Sequence, residues 1–278
     1  MRFLLIVTHK NPDIDAIGSI WLLKRFEKGF EEADVKFVNA GDTYQDQEVD
    51  SDPNVVHVDT GLGRFDHHQT AERTCAAEKV LDFLKEKYKN LGDQEILERL
   101  VEVVKQDDHF EECFWPEPLN DRYSFWLAKI LDGLKRAGKA KDEDLVELGT
   151  RCLDGIFMSL KLKVEAEEEI EKEGEVFQTS WGDSLAVESK NDEVLKVGQK
   201  LGYVLVVRKD PDGMVRIKAQ PKSDIDLTKA YNKVKELDPK ATWFLHASKR
   251  MLLNGSYKNP NHIASKLGLE EIIRVLKD

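Results

Sequence analysis

At 278 residues with 41% hydrophobic content, the chain is long enough to bury two cores rather than one. Its formal net charge of −11 excludes a protein that coats long nucleic acid through a broad basic surface, while a short or small phosphorylated substrate stays compatible. No stretch approaches the roughly 20 apolar residues of a membrane span, so no membrane partner is expected.

The N-terminal MRFLLIVTH lacks a small-residue cleavage site and reads as a buried first strand. FLLIVTH, AIGSIWLLKRFEKGF, VKFVN and NVVHVDT then follow one another as strand, helix, strand and strand, the rhythm of a parallel sheet covered by helices. Apolar residues at intervals of three and four predict helices from Thr74 to Tyr88, Asp93 to Gln106 and Tyr123 to Arg136. Residues 142–175 begin amphipathic and end in EAEEEIEKEGE, which is too acidic to bury and reads as a connecting helix with a solvated face.

Short strands are expected around Val176–Trp181 and Leu185–Glu188, then a hairpin in YVLVVRKDPDGMVRIKAQ with DPDG as its turn. A helix over Asp226–Glu236, a strand in TWFLHA and a closing helix from Asn261 to Leu276 complete the chain. The expected class is therefore α/β, a parallel sheet flanked by helices over residues 1–141, joined by a helical linker over 142–175 to a smaller α+β domain over 176–278. Residues from 176 onward hold 18 Lys and Arg against 13 Asp and Glu, net +5, which leaves −16 for residues 1–175. The second domain is thus the better place for an anion. Cys75, Cys113 and Cys152 lie far apart with no CxxC pair, which fits a reducing cytoplasm better than a disulfide framework or a structural zinc.

Four segments carry metal-ligand chemistry. THKNPDIDAIGS places His9, Asp13 and Asp15 just after the first strand, where the carboxyl ends of parallel strands gather ligands. Pro12 stiffens this loop. Helix capping by the two aspartates explains the triplet equally well on its own. VVHVDTG ends the third strand with Asp59, whose carboxylate would sit beside the first loop and could bridge two cations. RFDHHQT adds Asp66, His67 and His68, of which only some can face one metal because successive extended residues point opposite ways. VVKQDDHF ends a helix with Asp107, Asp108 and His109; Asp107 is taken as the last ligand, with Asp108 as its alternate. Imidazole and carboxylate ligands without thiolate suit two divalent cations, Mn²⁺ first, with Mg²⁺, Co²⁺ or Fe²⁺ also compatible. His57, His109 and His262 read as hydrogen-bonded structural histidines.

HKNPDIDAIGS, the strand-end VDTG and DHHQ resemble the DHH phosphoesterase superfamily, over motifs spread across about the first 110 residues. The resemblance implies His9, Asp13 and Asp59 on one metal and Asp15, Asp59, His67 and Asp107 on the other. It also implies that Asp66 orients a histidine and that His68 faces the substrate phosphate, the pair forming the catalytic group. VRIKAQPKSD and ATWFLHASKRMLLNGSYKNPNHIASKL resemble the C-terminal region of the melanocyte-proliferating-gene family, DHH-related proteins described as 3′–5′ RNA exonucleases. Two features depart from that family: NPDIDA follows the general DHH pattern, and the expected glycine-rich segment appears as LLNGS.

Candidate substrate ligands are His246, Ser248, Lys249, Arg250, Asn254, Gly255 and Ser256, with Arg216 and Lys218 on the hairpin; cations neutralise phosphate, and a glycine turn lets backbone N–H groups approach it. Trp181, Trp243, Phe244 and Tyr257 could stack a base or fill the core. The expected activity is two-metal hydrolysis of phosphodiester bonds in short RNA or DNA oligonucleotides. A manganese-dependent pyrophosphatase, a cyclic-dinucleotide or nucleotide phosphatase, and a noncatalytic nucleotide sensor are the alternatives. The oligomeric state is open, a homodimer included.

Overall fold

The first strand, β1 (Leu5–His9), is flanked on both sides, and this decides how the elements around it are arranged. The computed structural model describes residues 4–222, 224–255 and 259–277, divided into two compact units, Met1–Leu160 and Lys161–Asp278. In the first, β1 runs parallel to β2 (Asp34–Val38) and β3 (Val55–His57) in the order β2-β1-β3. Leu5 is aligned with Asp34 on one side and Val55 on the other. A central parallel strand is covered on both faces, so Ile6 and Val7 are fully enclosed.

Helix α1 (Ile14–Phe26) is buried at every residue from Ile14 to Leu23. Its sequence shows little amphipathic contrast for that reason: a helix covered all round needs no polar face. α2 (Ala76–Lys87) and α3 (Gln94–Asp108) pack against it. A Cβ at Gly18 would lie 3.6 Å from Ala77 Cβ, so small residues set how closely α1 and α2 approach.

The helix expected from Tyr123 starts only at Leu127: residues Asp121–Phe125 form a 3₁₀ turn, Trp126 is extended, and α4 spans Leu127–Arg136. The indole of Trp126 donates to Asp107 Oδ1 at 3.1 Å, a contact that periodicity does not encode. α5 (Asp142–Glu173) is one continuous helix, and the division between the units falls within it.

The second unit contains β4 (Glu175–Thr179), β5 (Gly182–Glu188), α6 (Glu193–Lys200), β6 (Leu205–Lys209), β7 (Val215–Ala219), α7 (Thr228–Leu237), β8 (Trp243–Leu245), β9 (Met251–Asn254) and α8 (Leu269–Lys277). Its six strands form a sheet in the order β4-β5-β6-β7-β9-β8. Among the described residues of this unit, only β5 and β6 pair in parallel. A parallel pair needs a crossover, and α6, absent from the expected elements, supplies it.

Alternation sorts the side chains of β7: Val215, Ile217 and Ala219 enter the core shared with α7 and α8. Arg216 and Lys218 point to the opposite face. On that face Leu185, Val187 and Val206 pack with Val194 and Leu195 of α6 and Ala166 of α5. The closing helix expected from Asn261 begins at Leu269. Ahead of it the chain is pinned by hydrogen bonds: Ser265 N–H donates to Asn254 Oδ1 at 2.8 Å and the Ser265 hydroxyl to Asp238 Oδ2 at 3.0 Å.

Candidate metal centre

The carboxyl ends of β1 and β3 and the start of α1 converge with the DHH segment and the end of α3. His9 closes β1, and its Nε2 lies 3.1 Å from Asp59 Oδ2 and 3.8 Å from Asp13 Oδ2. Asp13 is also the N-cap of α1: its Oδ1 accepts from Asp15 N–H and Ala16 N–H, both at 3.0 Å. Capping and ligation are therefore not alternatives, because one oxygen caps while the other faces His9. The loop between them is clamped. Lys135 Nζ donates to the carbonyls of Asn11 at 2.8 Å and Pro12 at 3.3 Å, and Asn11 N–H donates to Asp142 Oδ1 at 3.1 Å.

Asp15 points inward and is 1% exposed. Both its oxygens accept from the first turn of α2, Oδ2 from Ala76 N–H at 2.7 Å and Oδ1 from Ala77 N–H at 2.8 Å. α2 thus takes its cap from α1, since Cys75 at its own N-cap position makes no side-chain capping bond. Burial, with Asp59 and Asp13 nearby, pushes the Asp15 carboxyl well above the usual carboxylate range.

Asp59 sits between the two histidines, Oδ2 facing His9 and Oδ1 lying 3.5 Å from His67 Nε2. Burial works to raise its pKa, but the imidazoles of His67 and His9 outweigh that and hold it below the usual range. Its φ of 54° is the left-handed region that a residue with a Cβ seldom enters. His67 Nε2 is also 3.7 Å from Asp15 Oδ2 and 3.7 Å from Asp108 Oδ2. The Asp59 carboxylate facing it and the charges of Asp108 and Asp15 push His67 up to about 9. For His9 burial opposes the proton, yet Asp59 and Asp13 also carry it to about 9.

These side chains fall into the groups His9–Asp13–Asp59 and Asp15–His67–Asp108, each with ligand atoms within 4.8 Å of one another; Asp59, His67 and His68 make a third. Asp59 Oδ1 and His67 Nε2 are both buried without a hydrogen-bond partner among the described residues. Buried polar atoms are nearly always paired, and a divalent cation is the partner that a carboxylate and an imidazole facing each other would share. Of the two aspartates weighed for the last ligand position, Asp107 and its alternate Asp108, it is Asp108 that faces His67, whereas Asp107 is turned to the Trp126 indole.

Asp66 is buried and accepts from Leu62 N–H at 2.7 Å, His68 N–H at 3.1 Å and His68 Nδ1 at 2.7 Å. Those donors overcome the effect of burial and hold Asp66 below the usual carboxylate range. The His68 ring, 59% exposed, presents Nε2 away from Asp66. His9, Asp13, Ala40, Gly41, Asp59, Leu62, Asp66, His68 and Asp108 line a cavity of about 380 Å³. Ala40, Gly41 and Leu62 were not foreseen; the positive φ of Gly41, 85°, goes with the NAGD turn after β2. His57 accepts from Tyr44 N–H through Nε2 at 2.9 Å and His109 donates to Thr74 O at 3.0 Å, both structural contacts.

The candidate substrate ligands of the second unit do not form one cluster. His246, Ser248, Lys249 and Arg250 lie in the turn joining β8 and β9. His246 Nδ1 accepts from Ser248 N–H at 3.1 Å, and Lys249 Nζ donates to Asp226 Oδ2 at 2.8 Å. Asn254 is fully buried: its amide donates to Ile263 O at 3.0 Å and accepts from Ser265 N–H, a structural role in place of the expected substrate contact. Gly255 is a packing glycine, since a Cβ there would stand 2.8 Å from Met214 Cγ. Ser256 and Tyr257 lie outside the described residues. Arg216 is paired with Asp192 and, with Lys218, Lys196 and Met251, borders a cavity of about 350 Å³. Trp243 is core, Trp181 is partly buried against the same core cluster, and Phe244 is exposed.

No family model matches the chain, and no curated protein matches it. Among solved structures, it is similar to the DHH domain of a member of a family of ribosomal proteins, at 10% identity and TM-score 0.34, covering 99% of this chain and 85% of that one. It is also similar to RecJ from Thermus thermophilus in complex with Mg²⁺, at 11% identity and TM-score 0.34, covering 98% of this chain but 49% of RecJ, about half its length. An exopolyphosphatase-related protein from Bacteroides fragilis aligns at 12% identity and TM-score 0.25, covering 99% of this chain and 90% of that one. None of these three is described as a member of the melanocyte-proliferating-gene family. With every one of these TM-scores below 0.5, nothing about activity passes from those proteins to this chain, and what bears on its function is the arrangement of its own side chains.

Proposed function

We propose that this chain is a metal-dependent phosphoesterase of the DHH type, hydrolysing phosphodiester bonds in short oligonucleotides. The observation that carries the reading is the pair of buried atoms Asp59 Oδ1 and His67 Nε2, neither with a hydrogen-bond partner among the described residues, at the meeting point of two His/Asp groups. His9, Asp13 and Asp59 would hold one divalent cation and Asp15, Asp59, His67 and Asp108 the other, with Mn²⁺ the preferred ion for this mixed nitrogen and oxygen set. Two cations held there would supply Lewis-acid chemistry, lowering the pKa of water and offsetting phosphate charge.

The chain's own groups do the rest. Asp66 fixes the tautomer of His68 by accepting from Nδ1, which leaves Nε2 a bare acceptor that can take a proton from the attacking water and then return it to the leaving oxygen. Lys135 and Asp142 hold the His9–Asp13 loop in place before any ligand arrives.

Charge favours a diester over pyrophosphate. Asp13, Asp15, Asp59 and Asp108 carry four negative charges that two divalent cations would neutralise, Asp66 adds a fifth, and no Lys or Arg lines the cavity among the described residues. A centre without surplus positive charge suits a phosphodiester monoanion better than a compact polyanion, which would need extra cations around it. In the second unit, Arg216 and Lys218 remain the candidate anion ligands, because their cavity combines cations with the apolar side chains of Leu195, Met251 and Leu253. The test is incubation with Mn²⁺ and a di- to pentanucleotide RNA, a cyclic dinucleotide, 3′-phosphoadenosine 5′-phosphate and pyrophosphate. Mononucleotide release is expected, and turnover of pyrophosphate alone would overturn the reading.

A further inference from the structure

Six of the nine residues lining the metal cavity are His or Asp; the other three, Ala40, Gly41 and Leu62, carry no ionisable group. Leu62 is the one large apolar side chain among them, and it is 57% exposed.

The backbone makes leucine an unexpected choice there. Leu62 sits at φ 55°, in the left-handed region, where a Cβ crowds the chain and glycine or asparagine is accommodated at less cost. Its neighbours Gly61 and Gly63 are buried, and a Cβ on Gly63 would stand 2.5 Å from Val49 Cγ2. Leu62 N–H donates to Asp66 Oδ2 at 2.7 Å, a bond that uses the backbone alone and does not depend on the side chain. With more than half of its surface in water, that side chain gains little from packing to offset the strain. The fold therefore does not account for an apolar group at this position, whereas a ligand that covers it does.

We infer that Leu62, together with the small residues Ala40 and Gly41, forms the wall of the metal cavity that receives the nucleoside, so that the site prefers a nucleoside phosphate to inorganic phosphate. The inference rests on the phosphoesterase reading for the place of the phosphate, which the cations would receive. A purine or pyrimidine ring has flat apolar faces that an isobutyl group can cover. At Gly41 even a Cβ would meet nothing within 4 Å, which leaves space for the ring. The cavity of about 380 Å³ lies within the range of roughly 300–1,000 Å³ for small-molecule sites. Inorganic phosphate has no apolar surface to set against Leu62.

Isothermal titration calorimetry of the Mn²⁺-loaded full chain with adenosine 5′-monophosphate, and separately with inorganic phosphate, tests it. The parent should bind the nucleotide at least about tenfold more tightly than phosphate. Leu62→Asn, which suits the left-handed backbone, should raise the Tm of the metal-free chain and keep the Mn²⁺ content. It should weaken the nucleotide about fivefold while phosphate stays within about twofold. Leu62→Met, apolar and of similar volume, should bind the nucleotide within about twofold of the parent. In turnover of a short RNA, Leu62→Asn should raise KM by a larger factor than it changes kcat. Equal affinity for nucleotide and phosphate, binding of neither, or a Leu62→Asn variant that binds the nucleotide as the parent does overturns the inference. Nucleotide preference without turnover retains it and sinks the phosphoesterase reading; turnover with equal affinities does the reverse.

Discussion

Asp59 shows how much one residue is asked to do at this centre. It faces His9 and His67 with different oxygens, and its backbone sits in a region that costs a non-glycine residue stability. Its N–H donates to Phe65 O at 2.9 Å, which ties the strand end to the DHH segment and holds the left-handed turn. The neighbouring residues separate by role. His68→Ala should keep both metals by elemental analysis and lose turnover by roughly 10²- to 10⁴-fold, the range for a positioned acid–base group. Asp108→Ala should lose metal, whereas Asp107→Ala should keep it. Equal metal loss in the two aspartate variants would contradict the assignment. Asn254 is the counterexample to reading every polar residue near a motif as functional, since its amide spends its hydrogen bonds on the fold.

At the scale of elements, the centre exists because helix starts and strand ends are tied to one another. Asp15 caps α2 from α1, and Lys135 of α4 holds the loop that follows β1. Lys135→Met should leave the fold intact, by circular dichroism, and weaken metal binding about 10- to 100-fold, the usual cost of losing a group that orients ligands from behind. Unchanged affinity would mean the loop is rigid without it.

Elements with a strong period or a long apolar run were legible in the sequence: β1, β2, β3, α2 and α3 by their spacing and α1 by its apolar run lie close to where those patterns place them. The segments that bring His and Asp side chains together were legible too, because strand ends in a parallel sheet aim their loops to one side. What the sequence hid depends on partners distant in the chain. α6 is short and is defined by the parallel pairing of β5 with β6, and β9 by being paired on both edges. The choice between Asp107 and Asp108 hangs on Trp126, nineteen residues away, which no local pattern reveals.

For the molecule as a whole, the charge of the centre couples stability to pH and to metal. His9 and His67, ordinarily near 6.5, titrate near 9 in the folded, metal-free protein. Groups whose pKa is raised on folding stabilise fully below their unfolded pKa and lose that contribution as pH rises through the folded one. The Tm of the metal-free protein should therefore fall as pH rises from about 6.5 to 9, and a flat or rising Tm would contradict this. Metal displaces those protons, so Mn²⁺ binding near pH 7.5 should release about two protons per chain into weak buffer.

The central claim is that four separated segments hold two divalent ions. Anomalous X-ray diffraction at the manganese edge, on crystals grown with Mn²⁺, addresses it directly. Two peaks are predicted, one against His9, Asp13 and Asp59 and one against Asp15, His67 and Asp108, with both gone in Asp59→Ala. A single peak, a peak elsewhere, or two peaks that survive the Asp59 substitution would contradict the account.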